Sequence, residues 1–204
     1  MRVSIHPIEE TSITIEQLYV LIKSAFQERK EAGLNYVCLS MTMPEFLVEL
    51  EDSIPFVAIE ESTEALCGCT ILKRLTNKKG LLYGLEMHTS VSPDYKSRGI
   101  GSLLIKSIVD KAANLGYAYI CCSTAISAKS AIRVHIKNGY KIVGMASYRN
   151  TNYYSYKFKY LILPSKLDST LYRRICFIKS AIKTLLLYKA DGSKKKLYYW
   201  LKKQ

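Results

Sequence analysis

The chain of 204 residues lacks the usual devices of small secreted, metal-built or membrane-spanning proteins. Its six cysteines (Cys38, Cys67, Cys69, Cys121, Cys122, Cys176) include no CxxC pair, and His6, His88 and His135 stand far apart. No zinc-ligand spacing arises, and no metal is expected. Strand alternation would put Cys67 and Cys69 on one face and Cys121 and Cys122 on opposite faces; buried thiols in a reducing compartment are the plain reading. Ten glycines and five prolines are too few for a low-complexity or disordered chain. No stretch runs to about 18 uncharged apolar residues, and the opening MRVSIHPIEE carries no apolar signal core. The expectation is a cytoplasmic protein without a spanning helix. Acidic residues are scarce only at one end: residues 157–204 hold 13 Lys/Arg against two Asp/Glu, residues 1–156 hold 17 against 15. Of the net charge of +13, +11 therefore belongs to the last quarter of the chain.

With 49% apolar residues, the chain can bury one good core. Residues 2–8 read as a strand. Thr14 and Gln17 form a capping-box pattern before a helix whose Ile15, Leu18, Leu21, Ile22 and Phe26 recur at helical spacing, ended by Gly33. A looser piece leads to Pro44 and a short helix. Strands are predicted over 55–61, 64–75 and 81–91, the last interrupted by Gly84, which would mark a bulge. A helix follows through Leu104, Ile105, Ile108 and Ala112. Then come a strand over 117–125, a short helix over 127–138 stopped by Gly139, and two final strands, the last rich in tyrosine. Pro164 is the expected boundary between a domain of residues 1–163 and an extension of residues 164–204.

Between strand and helix lies VSPDYKSRGIG. A glycine-rich turn that starts a helix is suited to phosphate, because the first helical N–H groups have no backbone partner and carry the positive end of the helix dipole. Gly99 and Gly101 clear space, and Lys96 and Arg98 add charge. A dinucleotide fingerprint would need glycine where Leu104 stands, and a Walker loop would need Gly-Lys-Ser/Thr at its end. A glycine-punctuated turn with solvated basic residues is the alternative.

The stretch KSRGIG resembles the acyl-coenzyme A signature of the GNAT acetyltransferase superfamily, Arg/Gln-x-x-Gly-x-Gly/Ala, with Lys96 at the Arg/Gln position. SAIRVHIKNGYKIVG resembles a second element of that family, with His135 where tyrosine is usual. The resemblance spans about residues 1–162. It implies an α/β GNAT fold: a mixed, largely antiparallel sheet with two splayed central parallel strands, here 81–91 and 117–125, helices on both faces, and a C-terminal helical extension besides. It further implies acetyl-coenzyme A as co-substrate, held by Thr89, Val91, Lys96, Ser97, Arg98, Gly99, Ile100, Gly101 and Ser102, and direct attack of an amine on the thioester.

An alkyl amine with a pKa near 10.4 arrives protonated, so the site must accept a proton. Glu86 is the first candidate; alternation would put His88 on the same face as a second. A rim carboxylate and a packed strand histidine are the plain alternatives. The resemblance places His135 near the sulfur, where it could protonate the departing thiolate; the alternative is a helix residue without a catalytic role. Residues 27–45 would cover the acceptor pocket, and Glu28, Glu31, Glu45 and Glu49 could attract a cationic amine. The acceptor itself is left open.

In the extension, Leu171, Ile175, Ile178, Ile182 and Leu185 form an apolar stripe on a helix capped by Asp168 or Ser169. A lysine run beside Tyr198, Tyr199 and Trp200 follows. Docking of the stripe on the domain or a homodimer partner is the favoured expectation, with an anionic membrane or nucleic acid as the other possible contact. A non-catalytic acyl-coenzyme A-binding module, or an adaptor acting through its tail, would be the competing functions.

Overall fold

The computed structural model describes residues 2–201, apart from the side chains of Tyr199 and Trp200. Those two aromatic rings and the lysines at 202 and 203, part of the expected basic tail, lie outside the described residues. In chain order the elements are β1 (Val3–Pro7), α1 (Ile15–Glu31), α2 (Val37–Ser40), α3 (Met43–Leu50), β2 (Ser53–Glu60), β3 (Leu66–Thr76) and β4 (Leu82–Val91). There follow α4 (Ile100–Asn114), β5 (Tyr119–Ala125), α5 (Lys129–Lys137), β6 (Lys141–Ser147), β7 (Tyr154–Leu161), α6 (Thr170–Leu187) and α7 (Lys196–Leu201). The looser piece before Pro44 thus contains a single turn of helix. Thr14 caps α1 through a reciprocal box with Gln17, and Thr42 with Glu45 does the same for α3.

The seven strands form one sheet in the order β1-β2-β3-β4-β5-β7-β6, antiparallel except for β4 and β5. Alternation along β2 divides the core. Val57 faces α1 and α3 together with Ile71 and Phe46, whereas Phe56 and Ala58 face α4 together with Leu72 and Ile120. Helices therefore cover both faces.

Two bulges shift this alternation. In β3, Ala58 pairs with Gly68 but Ile59 with Leu66, so Cys67 is the extra residue. Cys67 joins the core under α4 and Cys69 the core under α1, not one shared face as alternation predicts. In β4, Ile71 pairs with Met87 but Cys69 with Ser90, which leaves one extra residue at His88, whose φ is +52°. The bulge is here and not at Gly84, which pairs normally with Arg74. Glycine at 84 answers a different need: a Cβ there would lie 2.5 Å from Leu72 Cδ1.

The parallel pairing of β4 and β5 comprises only Gly84↔Ile120 and Leu85↔Cys121. Beyond Leu85 the two strands part, and the gap between them forms the cleft described below.

Ser169 caps α6. This helix lies along the outer side of β6. The Met145 N–H donates to Ser180 Oγ (3.1 Å), while the Ser180 and Thr184 hydroxyls donate to the Met145 carbonyl (2.9 and 3.1 Å). Docking of the Leu171–Leu185 stripe on the chain's own domain, one of the two expected forms, is thereby reversed. The helix docks through Phe177, Ser180 and Thr184, and the stripe points outward. After α6 the chain turns at Gly192, where Tyr188 bridges Lys194, and presses on the β6–β7 loop. A Cβ at Gly192 would come within 2.5–2.6 Å of the Tyr148 and Arg149 backbone.

Ser180→Ala removes the only side-chain partner of the Met145 N–H among the described residues. A cost of about 1 kcal/mol is expected, or roughly 2–4 °C in melting temperature for a domain of this size. Calorimetry should show a smaller loss for Thr184→Val, which leaves that N–H paired.

Candidate active site

The turn that follows β4 is built from unusual backbone. Pro93–Tyr95 forms a single 3-10 turn. Ser97 (φ +63°) and Gly99 (φ +82°) are then left-handed, a conformation glycine adopts without strain. Gly99 occupies the N-cap of α4, and no side chain caps this end. The first intrahelical bonds run from Ser102 and Leu103 to the Gly99 carbonyl, so the Ile100 and Gly101 N–H groups precede them. A Cβ at Gly101 would meet only Val134 at 3.8 Å and Val91 at 4.0 Å, so internal packing does not demand glycine there. Space above a helix start is what an anion requires.

The other expected cofactor residues fall around this turn. Val91 closes β4 opposite Gly68. Lys96 forms an ion pair with Glu28 of α1, and Arg98 lies 5.3 Å from the centre of the Tyr95 ring. Ile100 is buried. Ser102 Oγ accepts from Asn138 Nδ2 at 3.0 Å, tying the helix start to the end of α5. Thr89 spends its hydroxyl on Glu86 Oε1 and Thr70 Oγ1, both at 2.7 Å.

Glu86 and His135, 49 residues apart in sequence, meet across the gap: Glu86 Oε1 lies 2.9 Å from His135 Nε2. Both are buried, so Glu86 is not a rim carboxylate. His135 Nδ1 lies 2.8 Å from the Ala131 carbonyl, which can only accept, so Nδ1 carries a proton. Burial pushes the imidazole pKa down, but the Glu86 charge and hydrogen bond outweigh it and leave it raised. For Glu86, burial pushes upward, and the charge and hydrogen bond of His135 outweigh that, so the carboxyl ends lowered. Both directions favour the imidazolium–carboxylate form of the pair. Glu86 Oε2 has no hydrogen-bond partner among the described residues. The Tyr140 hydroxyl is close enough to help lower the carboxyl, yet it falls outside hydrogen-bond geometry. Its ring stands edge-on to His135 at 5.2 Å.

His88 does not share the face of Glu86. The bulge turns it toward α3, where its Nε2 lies 2.6 Å from Glu49 Oε2. The hydrogen bond from His88 lowers the Glu49 carboxyl. Both pairs border one cavity of about 580 Å³, which Arg29, Tyr36, Tyr148 and Tyr153 also line. The segment 27–45 thus contributes to its wall, but of the four acids expected to attract an amine only Glu49 does. Glu28 pairs with Lys96, Glu45 belongs to the α3 cap, and Glu31 accepts from Gln27. Tyr153 carries no signal in sequence beyond its place in the tyrosine-rich last predicted strand, and Tyr148 carries none.

Glu86, Cys122 and His135 place one ligand-type atom each within 4.8 Å of the others. Two ligands on a tetrahedral zinc with bonds of about 2.0–2.1 Å stand about 3.3 Å apart. The 2.9 Å between Glu86 and His135 is instead a shared-proton contact, and burial holds the Cys122 thiol well above its ordinary pKa.

A largely antiparallel sheet opened at one parallel pair, beside an uncapped helix start, defines an acyltransferase-type α/β domain. The family model of GNAT acetyltransferases matches residues 15–140, and the chain belongs to that family. No curated protein matches the chain. Among solved structures it is similar to a GNAT family acetyltransferase from Elizabethkingia anophelis with acetyl-CoA bound, at 16% identity and TM-score 0.58, over 78% of this chain and 97% of that one. It is also similar to the ribosomal-protein-S18-alanine N-acetyltransferase from Escherichia coli (14%, TM-score 0.56, 82% and 99%). A third is a spermidine N-acetyltransferase chimera from Vibrio cholerae (13%, TM-score 0.60, 79% and 96%). At these identities the likeness is one of fold. About a fifth of this chain lies outside each of the three alignments.

The buried pair dictates a pH profile of stability. His135, raised on folding, stabilises fully below its ordinary 6.5, and this is lost as pH climbs through the raised value. Glu86, lowered on folding, stabilises above its ordinary 4.5, and this is lost as pH falls through the lowered value. The contribution therefore peaks between these ordinary values. His135→Ala, which strands a buried carboxylate, should cost about 3–5 kcal/mol. Glu86→Gln should cost less, since its amide can donate to a neutral imidazole. Thermal melts from pH 4 to 9 on both variants should lack the alkaline decline of the parent above 6.5.

Proposed function

We propose that this chain transfers the acetyl group of acetyl-coenzyme A to a primary amine by direct attack. The observation that carries the reading is the Glu86–His135 pair, which lines the cavity with one proton to give and one carboxylate oxygen unoccupied. The turn of residues 96–102 would hold the pyrophosphate on the N–H groups of Ile100 and Gly101, and the unpaired side of β4 beyond Leu85 would hold the pantetheine arm. Thr89 and Val91 would act there through backbone. Resemblance supports the co-substrate: one fold relative was solved with acetyl-CoA bound.

The pair relays one proton from the amine to the sulfur, and a second is released to solvent. The incoming ammonium gives a proton to the Glu86 carboxylate, directly or through water, and the free amine attacks the thioester carbonyl. The C–N bond forms, the C–S bond breaks, the thiolate takes a proton from the His135 imidazolium, and the second proton on the attacking nitrogen leaves to water as the neutral amide forms. Transfer of the Glu86 proton across the 2.9 Å contact restores the starting state. His88, paired with Glu49, borders the same cavity. The acceptor is left at the class of primary amine, since the fold relatives include a ribosomal-protein-S18-alanine N-acetyltransferase and a spermidine N-acetyltransferase chimera.

Acetyl-coenzyme A at about a hundred times its Kd should stabilise the protein by about 2.7 kcal/mol. Gly101→Val, whose Cβ meets no internal clash, should remove that shift. With an amine panel and detection of the released thiol, Glu86→Gln should lower kcat by about 10²–10⁴-fold while the cofactor-induced shift persists. Absence of a shift in the parent protein at millimolar cofactor would reject the co-substrate. Unchanged kcat in Glu86→Gln would reject the proton account alone.

A further inference from the structure

The helix α6 is held by one face and leaves another bare. With about 100° per residue, Leu171, Ile175, Ile178, Ile182, Leu185 and Leu186 fall within an arc of about 100°, opposite the Ser180 and Thr184 hydroxyls that fasten the helix to β6. These six aliphatic side chains are 70, 42, 55, 53, 44 and 52% exposed in that order. Because Ser180 and Thr184 bond the backbone of Met145, the helix cannot roll to bury them without giving up those bonds.

Charge decides what covers the stripe. Arg174 borders it on one side, and Lys179 and Lys183 on the other. The helix contains no Asp or Glu, and Lys189, Lys194, Lys195 and Lys196 follow. A second copy pairing through this face would bring these cations against their own counterparts with no acid in the helix to answer them. A nucleic acid would reward the cations but leave the aliphatic arc in water. The surface of an anionic bilayer rewards both: acyl chains receive the arc, and headgroups receive the flanking cations. No helix among the described residues is long and apolar enough to cross a membrane, so α6 would lie in the plane of the interface.

We infer that the outward face of α6 is a docking surface for anionic phospholipid membranes. This surface does not depend on the reading of the cleft, and its test uses no acetyl transfer. The full-length protein is floated with vesicles of phosphatidylcholine alone and of phosphatidylcholine mixed with phosphatidylglycerol. It should float with the anionic vesicles, not with the neutral ones, and be released as salt rises. Ile178→Glu combined with Ile182→Glu should abolish flotation. Both side chains are more than half exposed, and circular dichroism checks that the variant is folded. Lys179→Gln and Lys183→Gln should each weaken partitioning about fivefold, the value of about 1 kcal/mol per cation converted at 1.4 kcal/mol per tenfold. Four results would overturn the inference. The protein floats with neither vesicle, or flotation survives the double glutamate variant. Light scattering shows a dimer that this variant dissolves, without flotation. Single-stranded RNA binds in preference to the vesicles and is still bound by the variant.

Discussion

Everything in this fold turns on how little of β4 is paired with β5. Two register pairs, Gly84↔Ile120 and Leu85↔Cys121, join a four-stranded half of the sheet to a three-stranded half. Past them the halves separate, which ordinarily exposes backbone groups at a cost. The structure answers with contacts that span the opening. Glu86 from β4 meets His135 from α5 within the interior, and Ser102 at the start of α4 meets Asn138 at the end of α5. The pair assigned to chemistry is thus also a clasp between the halves of the sheet. A buried ion pair is a poor source of net stability, so its retention here is better understood through the protons it positions.

Much of this was legible from pattern. Apolar spacing, with a capping box at α1 and Pro44 at α3, located α1, α3 and α4 within a few residues, because those signals are local. The parity of the strands was less secure. A bulge moves every later residue to the other face without announcing itself, and neither Cys67 nor His88 is a residue type that marks one. Hence Cys67 and Cys69 were expected on one face, as were Glu86 and His88, and both expectations fail for the same reason. Glu86 and His135 could be named separately but not seen as partners, since nothing local links positions 49 residues apart.

The stripe on α6 shows a different limit. Periodicity finds an apolar face, and the habit of folded proteins is to turn that face inward. Here the demand of an edge strand for hydrogen bonds prevailed: Ser180 and Thr184 satisfy Met145, and hydroxyls, not aliphatics, choose the docking side. The chain after this helix is not remote from the cleft. Thr151 donates to the carbonyls of Tyr148 and Ala190, and Tyr154 donates to that of Tyr188, so the cavity wall at Tyr148 rests on the extension.

The fastening of α6 also governs how the protein behaves when crowded with its own copies. A sheet grows by adding strands at its ends, and growth of this kind underlies fibril formation. At one end, β6 already has the N–H and carbonyl of Met145 engaged by a helix. At the other, β1 is five residues long and finishes in Pro7, which has no N–H to offer a newcomer. Neither end presents a long open template. The same serine that holds the amphipathic helix in place therefore steers contact between copies toward side chains, which salt and detergent can reverse, and away from backbone zippering, which they cannot.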